Sequence, residues 1–280
     1  MTLLIPATLF VIMFALGLGL PGDRLGLLRQ RPGLLLRVLL GSCLLVPLLA
    51  LLLLRLPISL ALPEPARLAI ALMAICPSAP LILRKADKAD GDAALAAQLQ
   101  VAAALAAIAS VPLMAELFTL TFGLTGWDIG PASVARQVGM AQLLPLGCGL
   151  LVRRRCPGWA QRWLGPCDRL ANLLLLALVL LVLIKAGPAL LGFALANGRS
   201  VLLMAALVLV SLLVGWWAAG RGPQERTTVP LVTSMRNPGL ALLLASTYAP
   251  SLPTLKLGIL LYLLVTLVVQ IPFLRWRSRR

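Results

Sequence analysis

Nine long apolar runs joined by short polar links leave this chain almost no fold but a bundle of membrane-spanning helices. The runs lie at about 2–20, 34–54, 66–83, 93–121, 135–152, 170–187, 200–219, 228–246 and 254–273. Each approaches the ~20 residues that a helix needs to cross a ~30 Å hydrocarbon core. Inside lipid a backbone must satisfy its own hydrogen bonds, so the expected class is an all-α membrane protein with nine transmembrane helices. A hydrophobic share of 60% against 12% charged residues agrees, because soluble domains are nearer half apolar. The links are too short for a soluble domain or an active site outside the membrane, so 1–280 is read as one transmembrane domain.

A net charge of +16 would suit a nucleic-acid binder, but its placement points to topology instead. Arg24, Arg29, Arg31 and Arg37 follow the first run, Arg84, Lys85 and Lys88 the third, and Arg153, Arg154, Arg155, Arg162 and Arg169 the fifth. Arg221 and Arg226 follow the seventh, and Arg275, Arg277, Arg279 and Arg280 end the chain. The opposite side has Arg55, Arg67, Arg136, Lys185, Arg199 and Lys256. The positive-inside rule then predicts a multi-pass protein of the cell membrane with its N-terminus outside and its C-terminus cytoplasmic. Trp159, Trp163, Trp216, Trp217 and Trp276 fall near the expected inner interface, where amphipathic rings favour the headgroups. The first run has no Lys or Arg before Arg24, so it reads as a span rather than a signal peptide.

Cys43, Cys76, Cys148, Cys156 and Cys167 are scattered and form neither a disulfide framework nor a zinc pattern. Histidine is absent, which removes histidine metal ligands, catalytic triads and histidine proton relays together. No constellation of nucleophile, acid and base is found, and an enzyme is not expected.

Two spans are interrupted near their middles, at Cys76-Pro77-Ser78-Ala79-Pro80 and at Met235-Arg236-Asn237-Pro238-Gly239. Interior proline removes a backbone donor and clashes with the preceding turn, freeing polar groups where lipid offers no partner. Pro6, Pro47, Pro112 and Pro145 also sit within or close to spans, and proline is common in membrane helices, so a single break is ordinary. The pairing carries the argument. Under the topology above the two spans run in opposite directions, as in an inverted repeat of five helices whose first member is absent from the N-terminal copy. Discontinuous helices at matching places in two halves point to a transporter's binding site.

Arg236 is the sharpest residue, because an arginine near a span's middle costs roughly 2.5–3.5 kcal/mol on insertion scales. Two roles stay open. It faces a cavity, meeting an anionic substrate group or supplying fixed charge at the crossing, or it pairs with a buried carboxylate such as Glu116 or with freed carbonyls. Gln98 and Gln100 stand in an alanine-rich stretch that packs closely on neighbouring helices. Thr227, Thr228, Thr233 and Ser234 add hydroxyls before the second break, some of them bonding only their own helix. Asp87, Asp90 and Asp92 belong to a solvated turn, and Cys76 is either a soft ligand or a small apolar residue.

With these residues the chain resembles the bile acid:sodium symporter family, the sodium/bile acid cotransporter-like proteins, as a divergent bacterial-type member. The likeness covers nearly the whole chain. It is carried by Phe10-Val11-Ile12-Met13-Phe14-Ala15-Leu16-Gly17-Leu18, Val46-Pro47-Leu48-Leu49-Ala50-Leu51, Cys76-Pro77 with Gly91-Asp92, and Asn237-Pro238-Gly239-Leu240-Ala241. The resemblance implies a panel domain of the helices at about 2–20, 135–152 and 170–187. It implies a core domain of those at 34–54, 66–83, 93–121, 200–219, 228–246 and 254–273, within which two discontinuous helices cross. It also implies that the extra N-terminal helix of ten-span members is missing.

The departures are informative. Where sodium-coupled members carry a glutamate and a glutamine in the second broken helix, this chain has Val232 and Arg236. The serine and asparagine of the first broken helix fall on Ile82 and Leu83, the serine and threonine of the next helix on Ala96 and Gln100, and a glutamine of the second helix on Ser42. Sodium wants hard oxygen ligands, which aliphatic side chains lack. The expected function is therefore a secondary transporter of a small organic anion, working by alternating access without the family's usual sodium sites and with Arg236 as a tethered cation. Coupling is open among uniport, exchange and proton coupling, and the competing readings are a sodium-coupled symporter, a metalloid or metal efflux carrier using Cys76, and a non-transporting sensor. The candidate transport residues are Cys76, Pro77, Ser78, Pro80, Gln98, Gln100, Thr233, Ser234, Arg236, Asn237, Pro238 and Gly239. The expected partners are the organic anion and the lipid bilayer, with no nucleic acid, no metal site and no cofactor.

Overall fold

The computed structural model describes residues 4–20, 26, 30–79, 89–123 and 128–278. Among them every regular element is a helix. In chain order these are α1 (Leu4–Gly19), α2 (Pro32–Arg55), the short α3 (Pro57–Leu60), α4 (Glu64–Ile75) and α5 (Ala93–Phe122). α6 is built from Pro131–Val138, Gly139–Leu143 and Leu144–Arg155. Then come α7 (Pro157–Ala196), α8 (Gly198–Ala218), α9 (Pro223–Ser234), α10 (Pro238–Tyr248) and α11 (Pro253–Arg277). Among the described residues α2, α5, α8 and α11 are long and apolar enough to cross a membrane.

Proline starts many of these helices. Pro32, Pro131, Pro157, Pro223, Pro238 and Pro253 are first helical residues, where the missing N–H has no helical partner to lose. α5 is capped differently: Asp92 accepts from Leu95 N at 2.9 Å, and Gly123 ends the helix at φ +64°. Inside α2 and α6 proline acts on the turn before it. Gly41–Leu45 and Gly139–Leu143 are π-helical turns, and Pro47 and Pro145 follow each by two residues. Each proline removes a donor and crowds the carbonyl four residues back, so the preceding turn widens.

Small residues set the helix contacts, as expected where lipid supplies no hydrophobic drive between helices. α1 lies against the Leu144–Arg155 part of α6 and against α7. A Cβ on Gly17 would be 2.9 Å from Gly149 Cα, so these two backbones touch at glycine. α8 meets α9 in the same way, where a Cβ on Gly215 would be 2.5 Å from Pro230 Cα. Buried side chains gather in two clusters. One is centred on α4, α10 and α11 and includes Cys76; the other joins α1, α9 and the start of α5 and includes Ala79 and Met235.

The sixth run differs from expectation. α7 begins at Pro157, well before Leu170, and follows α6 after the single residue Cys156, so the expected loop is helix. Pro157 favours a helical start, and this first stretch buries Ala160 while leaving Trp159, Arg162 and Trp163 exposed. Its polar face interrupts the apolar run, which is why hydropathy passes over it. At 1.5 Å per residue α7 is about 60 Å long, so part of it lies beyond the hydrocarbon core.

Candidate transport site

Both interrupted runs break where their prolines stand. α4 stops at Ile75 and α9 at Ser234, and the chain continues extended, with Cys76 at φ −90° and Met235 at φ −81°. The extended pieces run antiparallel and bond each other: Ala79 N donates to Met235 O at 3.2 Å and Asn237 N to Cys76 O at 3.0 Å. Each break thus supplies partners to the other, which is how irregular backbone is tolerated inside a membrane protein. Asn237 then caps α10, its side-chain oxygen accepting from Leu240 N at 3.1 Å, with Pro238 and Gly239 as the first helical residues. Pro77 lies in the extended piece, and Ser78 beside it holds φ +38°, a left-handed value unusual for serine. Its Oγ is buried, and among the described residues it has no hydrogen-bond partner. Pro80, like Ile82 and Leu83, lies outside the described residues.

Arg236 occupies the crossing and has no exposed surface. Its Nη2 donates to Ser42 O at 3.0 Å and to Ala74 O; its Nη1 donates to Ser42 Oγ at 3.0 Å and to Thr233 O at 3.5 Å. Ala74 and Thr233 belong to the last turns of α4 and α9, whose carbonyls lack helical partners. A helix C-terminus carries roughly half a negative charge, so two of them aimed at one point make a place for a single cation. The guanidinium is that cation. Ser42 reaches it from the π turn of α2. Carbonyls and one hydroxyl are its partners; no carboxylate is among them, and Glu116 sits on an exposed face of α5. Tyr262, Cys43 and Cys76 lie near enough to feel the charge. Tyr262 is fully buried, and among the described residues its hydroxyl and Arg236 Nε have no hydrogen-bond partner.

The hydroxyls before the second break are mostly spent on backbone. Thr227, Thr233 and Ser234 donate to Pro223 O at 3.2 Å, Val229 O at 2.9 Å and Pro230 O at 2.8 Å. Thr228 Oγ1 accepts from Asp92 N at 2.9 Å, which ties α9 to the start of α5. Ser234 Oγ also accepts from Gln270 Nε2 at 2.8 Å. Cys76 is fully buried, and among the described residues no group of His, Cys, Asp or Glu is placed to hold a metal ion.

The two glutamines of α5 separate. Gln98 Nε2 turns back to Ala94 O at 3.3 Å. Gln100 faces α1 and α6, its Nε2 4.0 Å from Met13 Sδ and its Oε1 buried without a donor. Across a void of about 10 Å³ stands Gln142, from the π turn of α6, whose Oε1 is likewise buried and unpartnered. Sequence reading passed over Gln142, though the signal that singled out Gln100, an amide inside an apolar run, was present there too. Tyr262 and Gln270 were missed because only tertiary contact brings them to the crossing. A separate cavity of about 570 Å³, lined by Glu64, Arg67, Ala71, Phe122 and Tyr248 among others, lies at the start of α4 and the ends of α5 and α10. Arg67 stacks there over the Phe122 ring at 5.5 Å.

A model described as the Sodium Bile acid symporter family matches residues 6–193, which include the first break and end before the second. No curated protein matches the chain.

Proposed function

Because the chain belongs to the sodium bile acid symporter family, and is therefore a membrane transporter, we propose that it carries a small organic anion by alternating access with Arg236 as a built-in cation. The observation that carries this reading is the Arg236–Ser42 pair at 3.0 Å. Both residues stand where the family resemblance implies glutamines in the sodium-coupled members. Carbonyls at unwound helix ends are what such a transporter uses to collect sodium, and the guanidinium takes them up here. A charge supplied by the chain needs no sodium gradient to fill the crossing.

In this reading α1, α6 and α7 form the panel and the remaining long helices the core, the N-terminus lies outside, and the substrate sits where panel meets core. The two unpartnered amide oxygens of Gln100 and Gln142 support that placement. Opening of the seam would turn them towards a substrate's donors. Uptake of radiolabelled carboxylates and sulfonates into proteoliposomes tests the proposal, with sodium or choline as the external cation. Equal uptake in the two media is expected, and clear stimulation by sodium overturns it.

A further inference from the structure

A groove of about 560 Å³ runs along the outside of the bundle between α2 and α8. Leu40, Gly41 and Leu45 of α2 and Val210, Leu213 and Val214 of α8 line it, and Arg37 and Trp217, one turn beyond Gly41 and Val214 along their helices, line it too. From Arg37 to Leu45 the helix rises about 12 Å. Leu40, Leu45 and Leu213 are exposed, and Trp217 is 83% exposed. That end of the bundle is rich in arginine, and three of the arginines nearby have protein partners. Arg31 pairs with Glu225, Arg277 donates to Thr227 Oγ1 and Pro223 O, and Arg226 stacks over Trp216.

Arg37 differs. Its Nε donates to Gly33 O one turn back in its own helix at 3.2 Å, and among the described residues its two terminal nitrogens have no partner. An exposed tryptophan and an exposed guanidinium lining one apolar groove are the arrangement of a bilayer interface. The guanidinium fork matches a phosphate in two parallel hydrogen bonds.

We propose that this groove binds one anionic phospholipid, its phosphate on Arg37 and the upper part of an acyl chain between α2 and α8. Net negative charge on the headgroup adds attraction that a zwitterionic lipid lacks. Gly41 and Leu45 are the two ends of the π turn that presents Ser42 to Arg236. A lipid seated there packs on the outer side of the turn whose inner side holds the buried cation, so lipid occupancy braces the crossing. The binding itself does not depend on what the protein transports.

The test is native mass spectrometry of the full chain, released from mixed dioleoylphosphatidylglycerol and dioleoylphosphatidylcholine. The wild type is expected to retain one phosphatidylglycerol in preference to phosphatidylcholine, and Arg37→Gln to lower that retention about tenfold. Leu213→Trp, which obstructs the exposed groove and leaves Arg37 in place, is expected to do the same. Arg221→Gln, outside the groove, retains the lipid. Equal retention of the two lipids by the wild type, or unchanged retention in Arg37→Gln, overturns the proposal. So does a dimer mass that Leu213→Trp abolishes, since a second copy would then fill the groove.

Discussion

At the crossing, the guanidinium of Arg236 donates to four acceptors, whereas at the seam between α1, α5 and α6 the amide oxygens of Gln100 and Gln142 are buried with no donor among the described residues. Both places owe a polar side chain to a π turn ahead of a proline, Ser42 in α2 and Gln142 in α6. At the crossing the turn gives the guanidinium a hydroxyl and a carbonyl, and at the seam the turn places Gln142 across from Gln100. An unmade hydrogen bond inside a membrane protein is costly.

The largest effect should come from emptying the first place. Arg236→Ala leaves Ser42 O and Ala74 O without donors, at about 1–3 kcal/mol for each orphaned group. Thermal unfolding in detergent should then fall by several degrees and transport should drop to background. With its carbonyls vacated the variant should regain part of its stability in sodium chloride over choline chloride, while the wild type shows no difference. A variant that transports normally reduces Arg236 to a structural staple.

The seam should respond in the opposite sense. Replacing both acceptors, as in the double variant Gln100→Leu with Gln142→Leu, removes two unmade hydrogen bonds and should leave stability unchanged or raise it by about 1 kcal/mol. Transport should fall about tenfold, because the replaced groups can no longer meet a substrate's donors. Unaltered uptake, measured in the same vesicles, would detach the seam from substrate binding.

Cys76→Ser should have the smallest effect. The thiol is fully buried beside the crossing and near Arg236, and its sulfur bears none of the four bonds that hold the guanidinium. Anion uptake should change less than twofold. Abolition of transport by this single exchange would favour the soft-ligand reading, which arsenite flux would then decide.

Much of the fold was legible because lipid enforces simple rules. Apolar runs of crossing length gave α2, α5, α8 and α11 near their expected places, and prolines beside Cys76 and Met235 marked both breaks. The start of α7 was not legible, since Trp159, Arg162 and Trp163 make an amphipathic stretch that hydropathy averages away. Gln142 was legible in principle as an amide inside an apolar run. Tyr262 and Gln270 were not, because nothing local separates them from other polar residues of a long helix.

By itself the sequence determined that the chain is a helical membrane protein with two broken spans and one arginine at a break, since backbone hydrogen bonding in lipid and the rigid chemistry of proline act over a few residues. Only the tertiary structure decided what the arginine bonds. Its partners come from positions 42, 74 and 233, and a cation's shell assembled from three helices depends on how π turns and helix ends are aimed in space. That aim is set by packing between elements far apart in the chain.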